Sequence, residues 1–176
     1  MSLNHTFYCK VLPCMLALSV SGALSAAYSD HGRVDMQGSI IDTPCAIATA
    51  DLSQSIDMGD TTIGEIYLNG RGRPKPFSLN LVNCVLSSGD SARSHFRTTF
   101  DGPSAKGLFS VSGAKGVGLQ ITDSTGNVAI PGEPLPAGIL TPGSQRLDYN
   151  LRLVSDLSHL KAGDYHAILR FKVDYL

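Results

Sequence analysis

Short apolar segments with a period of two recur along this chain, and no long segment keeps the 3.6-residue period of an amphipathic helix. Val34, Met36, Gly38 and Ile40 alternate with Arg33, Asp35, Gln37 and Ser39. Phe77, Leu79 and Leu81 alternate with Ser78, Asn80 and Val82. Successive side chains of a strand point to opposite faces, so each segment predicts a half-buried strand. Further strands are predicted over Phe96–Phe100, Val117–Thr122, Leu147–Val154 and Tyr165–Tyr175. In the last, Ala167, Leu169, Phe171, Val173 and Tyr175 share one apolar face, while His166, Arg170, Lys172 and Asp174 share the other with Ile168. Turn residues separate the segments: Asp101-Gly102-Pro103, Asp123 to Asn127, the proline-rich stretch Pro131 to Pro142, and Ala162-Gly163-Asp164. Gly70 to Lys75 is too polar and glycine-rich for a strand and predicts a loop. Strands of this length and spacing predict an all-β sandwich of two sheets, for which immunoglobulin-like topology is the commonest outcome.

The first segment stands outside this pattern. Residues 1–27 have the three parts of a cleavable export signal: a weakly basic start with His5 and Lys10, an apolar run from Val11 to Ala23, and the small residues Ser25-Ala26-Ala27. Cleavage is expected after Ala27, with Ala26 as the second choice. The run is shorter than the roughly 20 residues of a spanning helix. Cys14 lacks the small residue that precedes a lipoprotein cysteine, since Val11-Leu12-Pro13 comes before it. The chain left after cleavage has the size of one domain. It retains Cys45 and Cys84, an even pair bound for an oxidising compartment, and these predict one disulfide. The formal net charge of −1 gives no basic footprint for nucleic acid or for an anionic membrane.

Candidate chemistry changes this picture little. His31, His95, His159 and His166 are scattered at spacings that bring no two imidazoles to one face for a metal, so surface or hydrogen-bonded histidines are the better reading. Ser112 has no nucleophile elbow and no neighbouring base. Gly113 to Gly118 lacks the Gly-Lys-Ser/Thr ending of a phosphate loop and reads as a flexible entry into a strand. Asp123 to Asn127 offers closely spaced oxygens but no bidentate acid to complete a Ca²⁺ loop, so it reads as a hairpin turn. The basic loop Arg71 to Lys75 has no aromatic side chain on which a base could stack. No catalytic residue, metal site, cofactor or small-molecule substrate is expected.

Three stretches resemble the pilin family of chaperone-usher fibres. Gly32 to Cys45 is similar to the family's alternating N-terminal extension running into the first cysteine. Phe77 to Cys84 and Lys115 to Asp123 are similar to the strand of the second cysteine and to a glycine-led strand. Ala162 to Ala167, followed by Phe171 to Tyr175, is similar to the closing strand with its penultimate tyrosine. Ile56 to Gly59, Thr99 to Gly102, Leu147 to Arg152 and Val173 to Tyr175 carry a likeness to the minor pilins that terminate and anchor P pili. The resemblance implies an incomplete immunoglobulin-like sandwich, completed by a donor strand from a partner. It divides the chain into a signal (1–27), a donor-strand extension (28–40) and a pilin domain (41–176).

By the same resemblance, Gly32, Val34, Met36 and Gly38 would enter the groove of a neighbouring subunit, and Ala167, Leu169, Phe171, Val173 and Tyr175 would line this chain's own groove. The implied partners are a periplasmic pilus chaperone, an outer-membrane usher and other pilin subunits, on a route through the periplasm to a surface pilus. The implied function is a minor subunit that ends the fibre. An ordinary minor or major pilin is the alternative within the family, and a small periplasmic β-sandwich, either a binding protein or an enzyme, is the alternative outside it.

Overall fold

The structure, a computed structural model, describes residues 33–38, 43–86 and 94–176. It comprises two units, Met1–Ser39 and Ile40–Leu176. In the first unit the described residues form no strand. Val34 is 81% and Met36 89% exposed, and Arg33 Nε donates to Asp35 Oδ1 at 2.9 Å. The half-buried strand expected over this segment is therefore not formed within the unit, because among the described residues no backbone pairs with it. Gly32 and Ile40 lie outside the described residues.

The second unit is built of two antiparallel sheets. The larger takes its strands in the order β1 (Ala46–Ile47), β2 (Lys75–Cys84), β8 (Gly143–Ser155), β6 (Val117–Asp123), β5 (Leu108–Ser110) and β4 (Ser104–Ala105). The smaller takes β7 (Gly138–Ile139), β3 (His95–Asp101) and β9 (Arg170–Tyr175). The strong alternation of β8 buries Leu147, Tyr149, Leu151 and Leu153 on one face. Its neighbours present matching residues in register: Leu79 opposite Leu147, Ile121 opposite Leu151, and Leu119 opposite Leu153. The alternation of β2 slips between Leu81 and Cys84, where a bulge with Asn83 at φ 54° returns Cys84 to the core side.

The sheets meet through aromatic rings. Phe77 stacks on Tyr149 with centroids 5.4 Å apart, and the ring of Phe100, from the opposite sheet, stands edge-on to Tyr149 at 5.0 Å. Tyr149 Oη donates to Thr98 Oγ1 at 2.8 Å, giving both buried hydroxyls a partner across the core. Burial pushes the Tyr149 hydroxyl above its ordinary value despite that hydrogen bond.

Two local features differ from the sequence reading. A seven-residue helix, α1 (Ile63–Asn69), interrupts the all-β pattern. Thr62 Oγ1 caps it by accepting from Glu65 N at 3.1 Å, and Gly70 closes it in the left-handed region at φ 70°. The second is the glycine-rich stretch before β6, which is held rather than a flexible entry. Ser112 and His166 exchange backbone hydrogen bonds at 2.9 and 3.1 Å, and Lys115 and Lys161 do so at 3.2 and 3.1 Å. Gly113 (φ 106°) passes so close to the Asp164 carbonyl that a β-carbon would collide with it, so only glycine fits.

Candidate functional site

Among the described residues β9 pairs with β3 alone, so its other edge has no strand beside it. The face expected to be apolar is so: Ala167, Leu169, Phe171, Val173 and Tyr175 are each partly buried, alternating with exposed His166, Ile168, Arg170 and Lys172. The strand itself is shorter than predicted. It begins at Arg170 because its ladder partner ends there, with Arg170 opposite Asp101 and the chain of β3 turning away at Gly102. Tyr165 to Leu169 keep the alternation without the ladder.

Beside the free edge of β9 runs a groove of about 510 Å³. Ala167, Leu169 and Phe171 form one wall, and Ile47, Leu52 and Ile56 form the other. Its floor is the sandwich core itself: Phe77, Leu79, Phe100, Ile121 and Leu151. The structure thus brings three of the five predicted groove residues to this space. Val173 and Tyr175 lie farther along the same face, packed against the core. There the walls draw together, as Tyr175 Oη donates to the Cys45 carbonyl at 3.2 Å. Burial pushes the Tyr175 hydroxyl up from its ordinary value.

The second wall was not among the sequence candidates, because it has no alternation to betray it. It is positioned by Asp51, a buried carboxylate in the 3₁₀ turn Thr49–Asp51. Asp51 accepts from Asn80 N at 2.6 Å, from Asn80 Nδ2 at 2.9 Å and from Gln54 Nε2 at 2.9 Å, while Ala48 N donates to Asn80 O at 2.8 Å. These bonds tie the segment after β1 to the middle of β2. The disulfide anchors its start: Cys45 and Cys84 are joined as expected, across a separation of 39 residues. Closing such a loop removes roughly 4 kcal/mol of conformational freedom from the unfolded chain in the loop-closure account.

No cluster of three or more metal-ligating side chains occurs among the described residues. The Asp123 loop is a hairpin turn in which the carboxylate accepts from Thr125 N, Thr125 Oγ1, Asn127 N and Asn127 Nδ2 at 2.8–2.9 Å. Burial alone would raise its pKa, but those hydrogen bonds together outweigh it and hold the carboxyl below its ordinary value. What the groove offers is apolar area next to an unpaired backbone edge, the two features that receive an added β-strand.

Comparison with known proteins agrees with this geometry. A family model described as "Fimbrial protein" matches residues 34–176. Two minor pilins of Escherichia coli, the PRS and the PAP fimbrial minor pilin proteins, are each 40% identical over 150 residues, covering 82% of this chain and 77% of theirs. The Fimbria A protein of Serratia marcescens is 31% identical, covering 94% of this chain and 96% of its own. Among solved structures, the P pilus rod subunit PapA superposes with a TM-score of 0.69 at 21% identity, over 76% of this chain and all of that one. A subunit in the structure of a chaperone-usher pilus superposes with a TM-score of 0.71 at 24% identity, over 84% of this chain and 96% of that one. At these identities the superpositions establish the fold, an incomplete immunoglobulin-like sandwich.

Proposed function

Because this chain belongs to the fimbrial protein family, as a pilin subunit of the chaperone-usher type, we propose that it is assembled by donor-strand exchange and ends its fibre. The family is one of structural pilins rather than enzymes, and its members build surface fimbriae through contacts between pilin subunits. The observation that carries the proposal is the open apolar groove beside the unpaired edge of β9. Left empty, it exposes core residues and a strand edge, both of which promote aggregation. A periplasmic chaperone lends it a strand after export, and the complex is delivered to the outer-membrane usher. The N-terminal segment, with Val34 and Met36 exposed and unpaired in the structure, is the strand this subunit gives to its neighbour.

The terminal role is supported by the likeness at Ile56 to Gly59 and Leu147 to Arg152, and by the 40% identity to two minor pilins. An ending subunit gives its N-terminal strand and takes none from a further subunit. Deleting its gene is expected to lengthen the fibres and shed them into the medium, measured by electron microscopy and by pilin in the supernatant. Fibres of unchanged length would leave an ordinary minor pilin.

The groove is tested by co-purification with the chaperone. Phe171→Asp places an unpaired charge on the apolar wall, where burial without a partner costs several kcal/mol. Capture and periplasmic yield are expected to fall at least tenfold, since ~1.4 kcal/mol is a factor of ten. Lys172→Glu, on the outward face, is expected to co-purify like the parent. Equal recovery of both variants would place the chaperone elsewhere.

A further inference from the structure

Past Ala167 the groove changes character. Gln54, Ile56, Ala167, Ile168 and Leu169 line both the apolar groove and a second cleft of about 620 Å³, so the two form one continuous channel. In the second cleft the wall after Ile56 carries Asp57 and Asp60, and the facing wall carries Asp164 and Tyr165, with His166 beside them. Asp57 Oδ1 accepts from Gly59 N at 2.9 Å, which leaves its second oxygen open to the cleft. Among the described residues no cation pairs with Asp57, Asp60 or Asp164.

Tyr165 Oη is closed off from solvent and has no hydrogen-bond partner, an expensive arrangement for a hydroxyl unless something else meets it. Burial raises the Tyr165 pKa first, and the charges of Asp57 and Asp60 raise it further, so the negative field of the cleft converges on this hydroxyl. A neutral phenol oxygen beside carboxylates is a second acceptor for a cationic donor.

Resting on the strand-exchange reading above, we infer that the strand a chaperone lends to this groove has a lysine or arginine at the end lying beyond Ala167, held by Asp57, Asp60 and Asp164. The apolar floor selects for alternating apolar side chains, as any such groove would. The acidic end adds a requirement of charge, and with it a fixed register, because a one-residue slip would turn the cation to the other face of the strand.

The test uses synthetic peptides as stand-ins for the chaperone strand. They share one alternating apolar core and end in lysine or in glutamate, placed at either terminus, and their binding to the mature chain is measured by titration calorimetry. At one terminus the lysine peptide is expected to bind about fivefold more tightly than the glutamate peptide, the range of a partly exposed ion pair. High salt should shrink that preference. Asp60→Asn combined with Asp164→Asn, both exposed positions, is expected to abolish the preference while leaving the melting temperature and the binding of the apolar core unchanged. Equal binding of the lysine and glutamate peptides at both termini would overturn this inference and leave the groove reading standing. Failure of every peptide to bind would overturn the groove reading and this inference with it.

Discussion

At the scale of single residues, Asp123 shows how one side chain organises a turn. Its carboxylate gathers four donors from Thr125 and Asn127, which is why the loop closes without a metal. Since its folded pKa lies below the ordinary value of about 3.9, its contribution to stability is complete above that value and is lost as pH falls through the lowered one. The amide resonances of Thr125 and Asn127 are therefore expected to hold steady from neutral pH to below the ordinary carboxylate range, and to move only in stronger acid. A titration of those resonances centred at or above the ordinary value would show that the carboxylate is not the hub. This role was legible in the sequence only as a turn, because the residues were named by type and spacing while the number of bonds depends on the loop's conformation. Cys45 and Cys84 were legible as a pair because exported chains leave few alternatives to pairing two cysteines. Asp51 was not legible, since its partner Asn80 lies 29 residues away and nothing local distinguishes it from a surface acid.

At the scale of elements, β2 and β8 were readable because one face of each is buried and the other is not, which writes a period of two into the sequence. Helix α1 has the cap signals Thr62, Glu65 and Gly70, but seven residues are too few to establish a helical period. Of that helix only Ile66 is buried, so tertiary contact rather than amphipathicity defines it. The last strand was predicted too long because alternation continues through Tyr165 to Leu169, while the ladder stops where β3 ends. The N-terminal segment is the reverse case: it has strand alternation and no sheet among the described residues. Donation to a neighbour accounts for that mismatch, and the account separates its two faces. Val34→Asp is expected to abolish incorporation into fibres, because the charge would enter an apolar groove unpaired. Arg33→Asp, on the alternate face, is expected to incorporate normally. Immunogold counts of tagged variants on purified fibres read both, and normal incorporation of the Val34 variant would rule out the donor role.

At the scale of the whole molecule, the sandwich lacks one strand, and the space it leaves is continuous with the core. Phe77, Leu79, Phe100, Ile121 and Leu151 are at once the floor of the groove and the contact between sheets. Filling the groove therefore completes the fold as well as binding a partner, and subunit stability and assembly become one equilibrium. That coupling is what the account claims, and hydrogen exchange measures it most directly. The amides of β9 that do not bond to β3 point along the free edge and have no partner in the isolated chain. In the chaperone complex these amides, together with those of Ile47 to Ile56, are expected to slow by several orders of magnitude, while exchange in the Asp123 turn stays as it was. Equal and strong protection of β9 in the isolated monomer and in the complex would mean that the sandwich is already complete, and would contradict the account.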